Sequence, residues 1–444
     1  MIAALLAAVV AVSSPVPAAA PAGDVSFTSH GVTLHGTVVA PEGGGPAPGI
    51  VMVHGSGEHD RDDYRAEAEA FAKAGIATLI YDKRTEGYSL FERDYSVLAD
   101  DALAAVQALR SRPGVDPARV GVWGLSEGGW VAPLAASRSK DVAFAITVGA
   151  NGVSPDRQQS WALETYLRHG GVDGSMVDMV ASTNMRTLAG AGLFPEAGYD
   201  PVPVLENLRR PVLGLWGELD RLTPPGEAVR IFRETLERAG NQQYTLKVFP
   251  QSQHALRRTT DGFDKLDGFA PGYLDLVGTW VNGLADGPVR PSSDPPPEQA
   301  SQSVALAPLS WYETPWLQLA GWALALLAFA AYPVTALFRR REEVPLARPA
   351  RWLASTGLLA TAGFLVYYVT LSMGAAMAPG PVLFGRTLPW LALQLLAVGV
   401  VIAGVVTAVS WWRREDRGGV RVGLLLAGTL LFVPWAVQWG LLVP

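Results

Sequence analysis

Between Asp24 and Leu284 the spacing of apolar residues changes period repeatedly, and each change predicts an element. Val25, Phe27, Val32, Leu34 and the run Gly36 to Val39 alternate in the manner of an antiparallel hairpin. Gly49 to Val53 and Ile76 to Tyr81 are short, continuously apolar runs, as fully buried strands are. Tyr64 to Ala74 between them is helical in composition. Leu98, Ala102, Ala105, Val106 and Leu109 then form the stripe of an amphipathic helix, which Pro113-Gly114 stops. A further apolar run, Val120 to Leu125, leads into helix-forming sequence from Trp130. Strands alternating with helices, with glycine at the strand ends, predict an α/β fold: a mostly parallel sheet covered by helices on both faces. Val142 to Val148, Val212 to Trp216 and Tyr244 to Phe249 continue the sheet, and a last helix covers Tyr273 to Leu284. Residues 151–210 show helical patches without a strand and are expected to form a lid. Their Met176, Met179 and Met185 suit either an adaptable acyl pocket or a small core of the lid itself.

The pattern breaks after Asp286. Residues 287–312 are rich in Pro and Ser and read as an extended, semi-rigid linker between an α/β domain, 23–286, and a membrane domain, 313–444. Four segments follow: Trp316 to Phe338, Trp352 to Met373, Leu388 to Trp411 and Val422 to Leu442. Each exceeds twenty residues with no charged side chain, enough to span a bilayer as a helix. Tryptophans at their ends, Trp316, Trp352, Trp411 and Trp412, suit interfacial anchors. The first loop holds Arg339, Arg340, Arg341, Arg348 and Arg351, and the third holds Arg413, Arg414, Arg417 and Arg421. Arginine-rich loops stay on the cytoplasmic side, which would put the preceding domain outside a cytoplasmic membrane. Residues 1–22 agree: the apolar run Ile2 to Val12 and the small residues around Ala20-Pro21-Ala22 read as an export signal, although no Lys or Arg precedes the run.

Charge sharpens this division. The first 286 residues carry 34 acidic and 24 basic side chains, whereas the remainder carries 7 and 11. The basic residues flank apolar runs and form no solvated stripe, so a nucleic-acid partner is not expected. The chain has no cysteine, which excludes disulfides, thiolate metal sites and a cysteine nucleophile.

The candidate chemistry starts at Gly124-Leu125-Ser126-Glu127-Gly128, a serine between glycines at a strand-to-helix transition. This is the form of a nucleophile elbow, with Ser126 as nucleophile. A serine hydroxyl needs a base, and the base a carboxylate, in the chain order serine, acid, histidine. Of the six histidines only His169 and His254 follow Ser126. His169 falls in the expected lid, whereas His254 falls five residues past a strand, where the base belongs. Glu218 and Asp220 both follow the preceding strand, and Asp220, farther along the turn before Pro224-Pro225, is favoured. Two backbone donors should meet the oxyanion: the N–H of Glu127, and that of Ser56 in His54-Gly55-Ser56-Gly57, with His54 bracing the loop.

These residues carry a resemblance. His54-Gly55-Ser56-Gly57 with Asp60-Arg61-Asp62, Tyr81-Asp82-Lys83-Arg84, Asp116-Pro117 leading into Val120 to Gly129, and then Asp220 and His254, resemble the α/β-hydrolase superfamily. The chain is similar there to bacterial serine esterases and peptidase-like hydrolases related to dienelactone hydrolase and prolyl oligopeptidase. It departs at Thr85-Glu86-Gly87, where relatives usually have a glycine-rich turn bordering the pocket. The resemblance implies a serine hydrolase acting on an ester, thioester or amide, with no metal or organic cofactor. Transfer of the acyl group to an envelope acceptor uses the same residues and is the alternative. A non-enzymatic sensor or transporter is a third reading, disfavoured because the four apolar segments hold no ionisable side chain. The expected partners are an acyl substrate and the lipid bilayer.

Overall fold

The computed structural model describes residues 23–43, 45–337, 347–372, 374–413 and 419–444. The segment read as an export signal, and Arg339, Arg340, Arg341, Arg414 and Arg417, lie outside them. Strands β1 (Gly23–Ser29) and β2 (Val32–Val39) form the expected hairpin. Then come β3 (Ala47–Val53), α1 (Arg65–Lys73), β4 (Ala77–Tyr81), α2 (Tyr95–Arg110), β5 (Val115–Leu125), α3 (Gly128–Arg138) and β6 (Ala145–Val148). The sheet resumes at β7 (Val212–Gly217), α8 (Pro225–Arg238), β8 (Tyr244–Phe249) and α9 (Tyr273–Gly283), after an insertion holding α4 (Pro155–His169), α5 (Ser175–Asp178), α6 (Met185–Gly190) and α7 (Val202–Asn207).

The strands lie in the order β1-β2-β4-β3-β5-β6-β7-β8-β9, parallel from β4 to β9. The two-residue β9 (Ser292–Ser293) belongs to the Pro/Ser-rich segment and pairs with β8. Alternation along the strands feeds two apolar layers. Val51 and Val53 of β3 join the layer covered by α2, α3 and α8, whereas Ile50 and Met52 join the one covered by α1 and α9. The register pairs Val53 with Gly124, Leu125 with Val148 and Gly217 with Phe249, so the carboxyl ends of these strands meet at one edge. In open α/β sheets that edge is where ligands bind.

Helices α10 (Pro315–Leu337), α11 (Ala347–Ser372), α12 (Leu388–Trp412) and α13 (Val420–Gln438) are long and apolar enough to cross a membrane. Their outward faces carry exposed Leu324, Val366, Ile402 and Leu430, the mark of helices solvated by lipid. The insertion packs on one end of this bundle. Met176, Met179 and Met185 are buried in one core with Phe329, Trp390, Phe432 and Trp439, so they line neither an acyl pocket nor a core of the insertion alone. Between α5 and α6 the chain makes a turn of π-helix, Met179–Asn184.

Polar clamps tie the same junction. Arg186 pairs with Glu313 at 2.6 Å, and Gln438 donates to Glu313 at 3.0 Å. Gln394 donates to Ser175 Oγ at 3.2 Å and to the Val443 carbonyl at 2.9 Å. Glu227 of α8, buried, accepts from Ser303 N–H at 2.6 Å and from Arg157 of α4 at 2.8 Å. The Pro/Ser-rich segment is thereby seated on the sheet domain and the insertion together.

Candidate active site

Ser126 stands where β5 turns into α3, at φ +58°, a left-handed conformation that costs a non-glycine residue about 1–3 kcal/mol. The turn survives because its neighbours are glycines. A Cβ on Gly124 would lie 2.0 Å from the Gly128 carbonyl oxygen, and one on Gly128 would lie 2.5 Å from the Val53 oxygen. The Ser126 N–H donates to the Val148 carbonyl at 3.0 Å, which fixes the turn against β6.

His254 lies in the loop after β8, and its Nδ1 is 2.8 Å from Asp220 Oδ2. Asp220 is fully buried and also accepts from the Leu222 N–H at 2.8 Å, the Thr223 N–H at 2.9 Å and the Thr223 hydroxyl at 2.6 Å. Its orientation is therefore set by its own turn before it meets the imidazole. His254 Nε2 is buried and makes no hydrogen bond among the described residues. Gly149, next to the Val148 that holds Ser126, packs so closely that a Cβ there would lie 2.7 Å from His254 Nδ1. Ser126 and His254 thus border the same end of β6. Glu218 does not reach the histidine; it accepts the Gln251 N–H at 3.2 Å. Arg221 binds the Asp261 carbonyl instead of Glu218, and His169 stacks on Phe263 at 3.6 Å.

The loop after β3 faces the elbow. His54 Nε2–H donates to the Tyr81 carbonyl, and the ring packs against both His59 and Tyr64, which braces the loop. Burial lowers the His54 pKa to about 4, so the ring is neutral. The Gly55 and Gly57 N–H groups donate to Tyr64 and Tyr88 hydroxyls at 3.1 and 3.0 Å. Neither the Ser56 nor the Glu127 backbone N–H has a partner among the described residues. Ser56 Oγ accepts from Arg93 at 3.1 Å, in a loop with no strand-turn-helix geometry.

Sequence reasoning missed the partners of the Glu127 side chain. This buried carboxylate accepts from Lys83 at 2.7 Å, Tyr88 at 2.9 Å and Arg93 at 2.7 Å. Lys83 follows β4, while Tyr88 and Arg93 come from the loop in which the chain departs from the family pattern. The available signal was a glutamate inside an otherwise apolar turn, since a buried charge requires a countercharge.

Residues 63–273 match the prolyl oligopeptidase family model. The chain is 37% identical over 130 residues to thiohydrolase aneE of Aspergillus aculeatus, a match covering 28% of this chain and 40% of that protein. It is 35% identical over 128 residues to esterase EstD of Thermotoga maritima, covering 26% and 31% respectively. It is 36% identical over 110 residues to the quorum-quenching protein AidA of Acinetobacter baumannii, covering 24% and 36%. The chain thus spans well under half the length of these relatives. The sheet, the elbow and these matches converge on one assignment: the chain carries an α/β-hydrolase superfamily domain of the esterase and hydrolase kind, joined to four long apolar helices.

Proposed function

We propose that the protein is a membrane-anchored serine hydrolase, active outside the cytoplasmic membrane on an ester, thioester or amide. Ser126 Oγ attacks the acyl carbon while His254 Nε2 takes its proton, and Asp220 holds the imidazole through Nδ1. The tetrahedral oxyanion rests on the N–H groups of Ser56 and Glu127. The leaving group departs with the proton from His254, and water releases the acyl group by the same steps in reverse. The observation that carries this reading is the His254–Asp220 pair with its second ring nitrogen buried, unbonded and beside the elbow. The names of the similar thiohydrolase and esterase support acyl chemistry.

The orientation rests on Arg348, Arg351, Arg413 and Arg421, which lie at the bundle end away from the insertion. A membrane-impermeant fluorophosphonate tests both claims on right-side-out vesicles. Labelling of the intact vesicles is expected, and none after Ser126→Ala. Labelling only after lysis would reverse the orientation, and labelling of the variant would end the assignment of Ser126.

A further inference from the structure

We infer that Lys83 is a positioning residue for the oxyanion site, gripping the peptide that presents the Ser56 N–H and the side chain of Glu127 together. The inference rests on the reading of Ser56 and Glu127 as oxyanion donors. The Lys83 ammonium has three protons and three acceptors: the Gly55 carbonyl, the Tyr88 hydroxyl at 2.7 Å and Glu127 Oε1 at 2.7 Å. The Gly55 carbonyl and the Ser56 N–H are two ends of one planar peptide. A cation on the carbonyl therefore fixes the direction of the N–H and, by polarising the amide, strengthens it as a donor. The same ammonium holds the residue whose own backbone N–H is the second donor. Arg93 completes the frame, reaching Glu127 Oε2 and Ser56 Oγ. Two cations then surround one carboxylate in a buried cluster, and the surplus positive charge lies where negative charge would develop.

The cluster also makes the device sensitive to pH. Burial lowers Lys83 to about 8, opposed by Glu127 and aided by Arg93. Tyr88 is pushed up to about 12, Arg93 is raised further above its already high range and His54 is lowered to about 4. His59, whose carbonyl accepts the Lys83 N–H, keeps its ring on Asp63. Above about pH 8 the ammonium loses a proton and with it one of its three bonds.

The test is the rate of fluorophosphonate labelling of the full chain in detergent, from about pH 6 to about pH 10, with p-nitrophenyl butyrate turnover beside it. For the wild type the rate should fall above about pH 8. Lys83→Met should lower the neutral-pH rate and kcat by about 10- to 100-fold with KM nearly unchanged, and should lose the alkaline limb. Lys83→Arg, which stays charged, should recover part of the rate and also lose that limb. A wild-type rate that is flat to alkaline pH, or Lys83→Met labelling at the wild-type rate, overturns the inference. Should Lys83→Met fail to fold, the wild-type profile and Lys83→Arg decide the matter. Labelling that survives Ser126→Ala would mean instead that the underlying reading of the site has failed.

Discussion

Around Ser126 and His254 the hydrogen bonds join residues at the ends of neighbouring strands. Where the insertion meets the apolar helices, the contacts are mostly between buried Met, Leu, Phe and Trp side chains, with Arg186–Glu313, Gln394–Ser175 and Tyr368–Asn184 among the polar exceptions. The first region takes its geometry from a sheet that folds on its own layers of core. The second has no core until two parts of the chain meet, because the buried face of α4 to α6 is completed by α10 to α13. A domain cut out at Asp286 would therefore keep its elbow and leave Leu163, Leu167, Met176 and Met179 without their partners. Substrate screens belong on the full chain.

The sharpest way to separate the regions is to damage each alone. Asp220→Asn keeps the volume of the side chain but offers His254 Nδ1 an amide that can impose the wrong tautomer. Labelling and ester turnover should fall by about 10³- to 10⁴-fold, with thermal stability little changed. Met179→Ala opens a cavity in the shared core and should cost about 2–4 kcal/mol. Proteolysis within the insertion should rise, while the Ser126 labelling rate stays within about threefold of wild type. A fall as deep as that of Asp220→Asn would mean the regions are not independent. The smallest effect should come from Arg186→Ala, about 1–2 kcal/mol from one charge-assisted pair. The Arg186 guanidinium holds Glu313 down to about 2, below the ordinary carboxylate range. Because the folded pKa is depressed, this contribution is complete above about pH 4.5 and is lost as pH falls through about 2. A melting-temperature series in acid checks this, and the variant should lose that dependence.

The same contrast explains what could be read from residues alone. The strands, the turn at Ser126 and the pairing of Asp220 with His254 were legible because each is written within a few residues of a strand end. The competition between Glu218 and Asp220 was harder, since both follow β7; the turn to Thr223 separates them, with Asp220 directed inward and Glu218 towards Gln251. The Lys83–Glu127–Arg93 cluster was not legible. Periodicity marks which positions are buried but not which ions pair across 44 and 34 residues of chain. The three methionines misled for a related reason. An apolar face announces that it needs a cover, and nothing in its spacing says that the cover lies more than a hundred residues away, at Tyr367, Thr387 and Trp390. Pro/Ser-rich composition likewise describes side chains that tolerate water, yet it is the backbone of Ser292–Ser293 that extends the sheet and Ser303 that finds Glu227.

Helix α4 has one further consequence. Near its start Gln158 donates to the carbonyl of Leu222, whose own N–H binds Asp220; just past its end Gly170 meets Pro379, in the loop joining α11 to α12. Twelve residues of helix separate these contacts, a rod of about 18 Å. The four apolar helices, through this rod, set a standoff: they limit how far from the bundle the Asp220 loop can stand, and so the height of the proposed site above it.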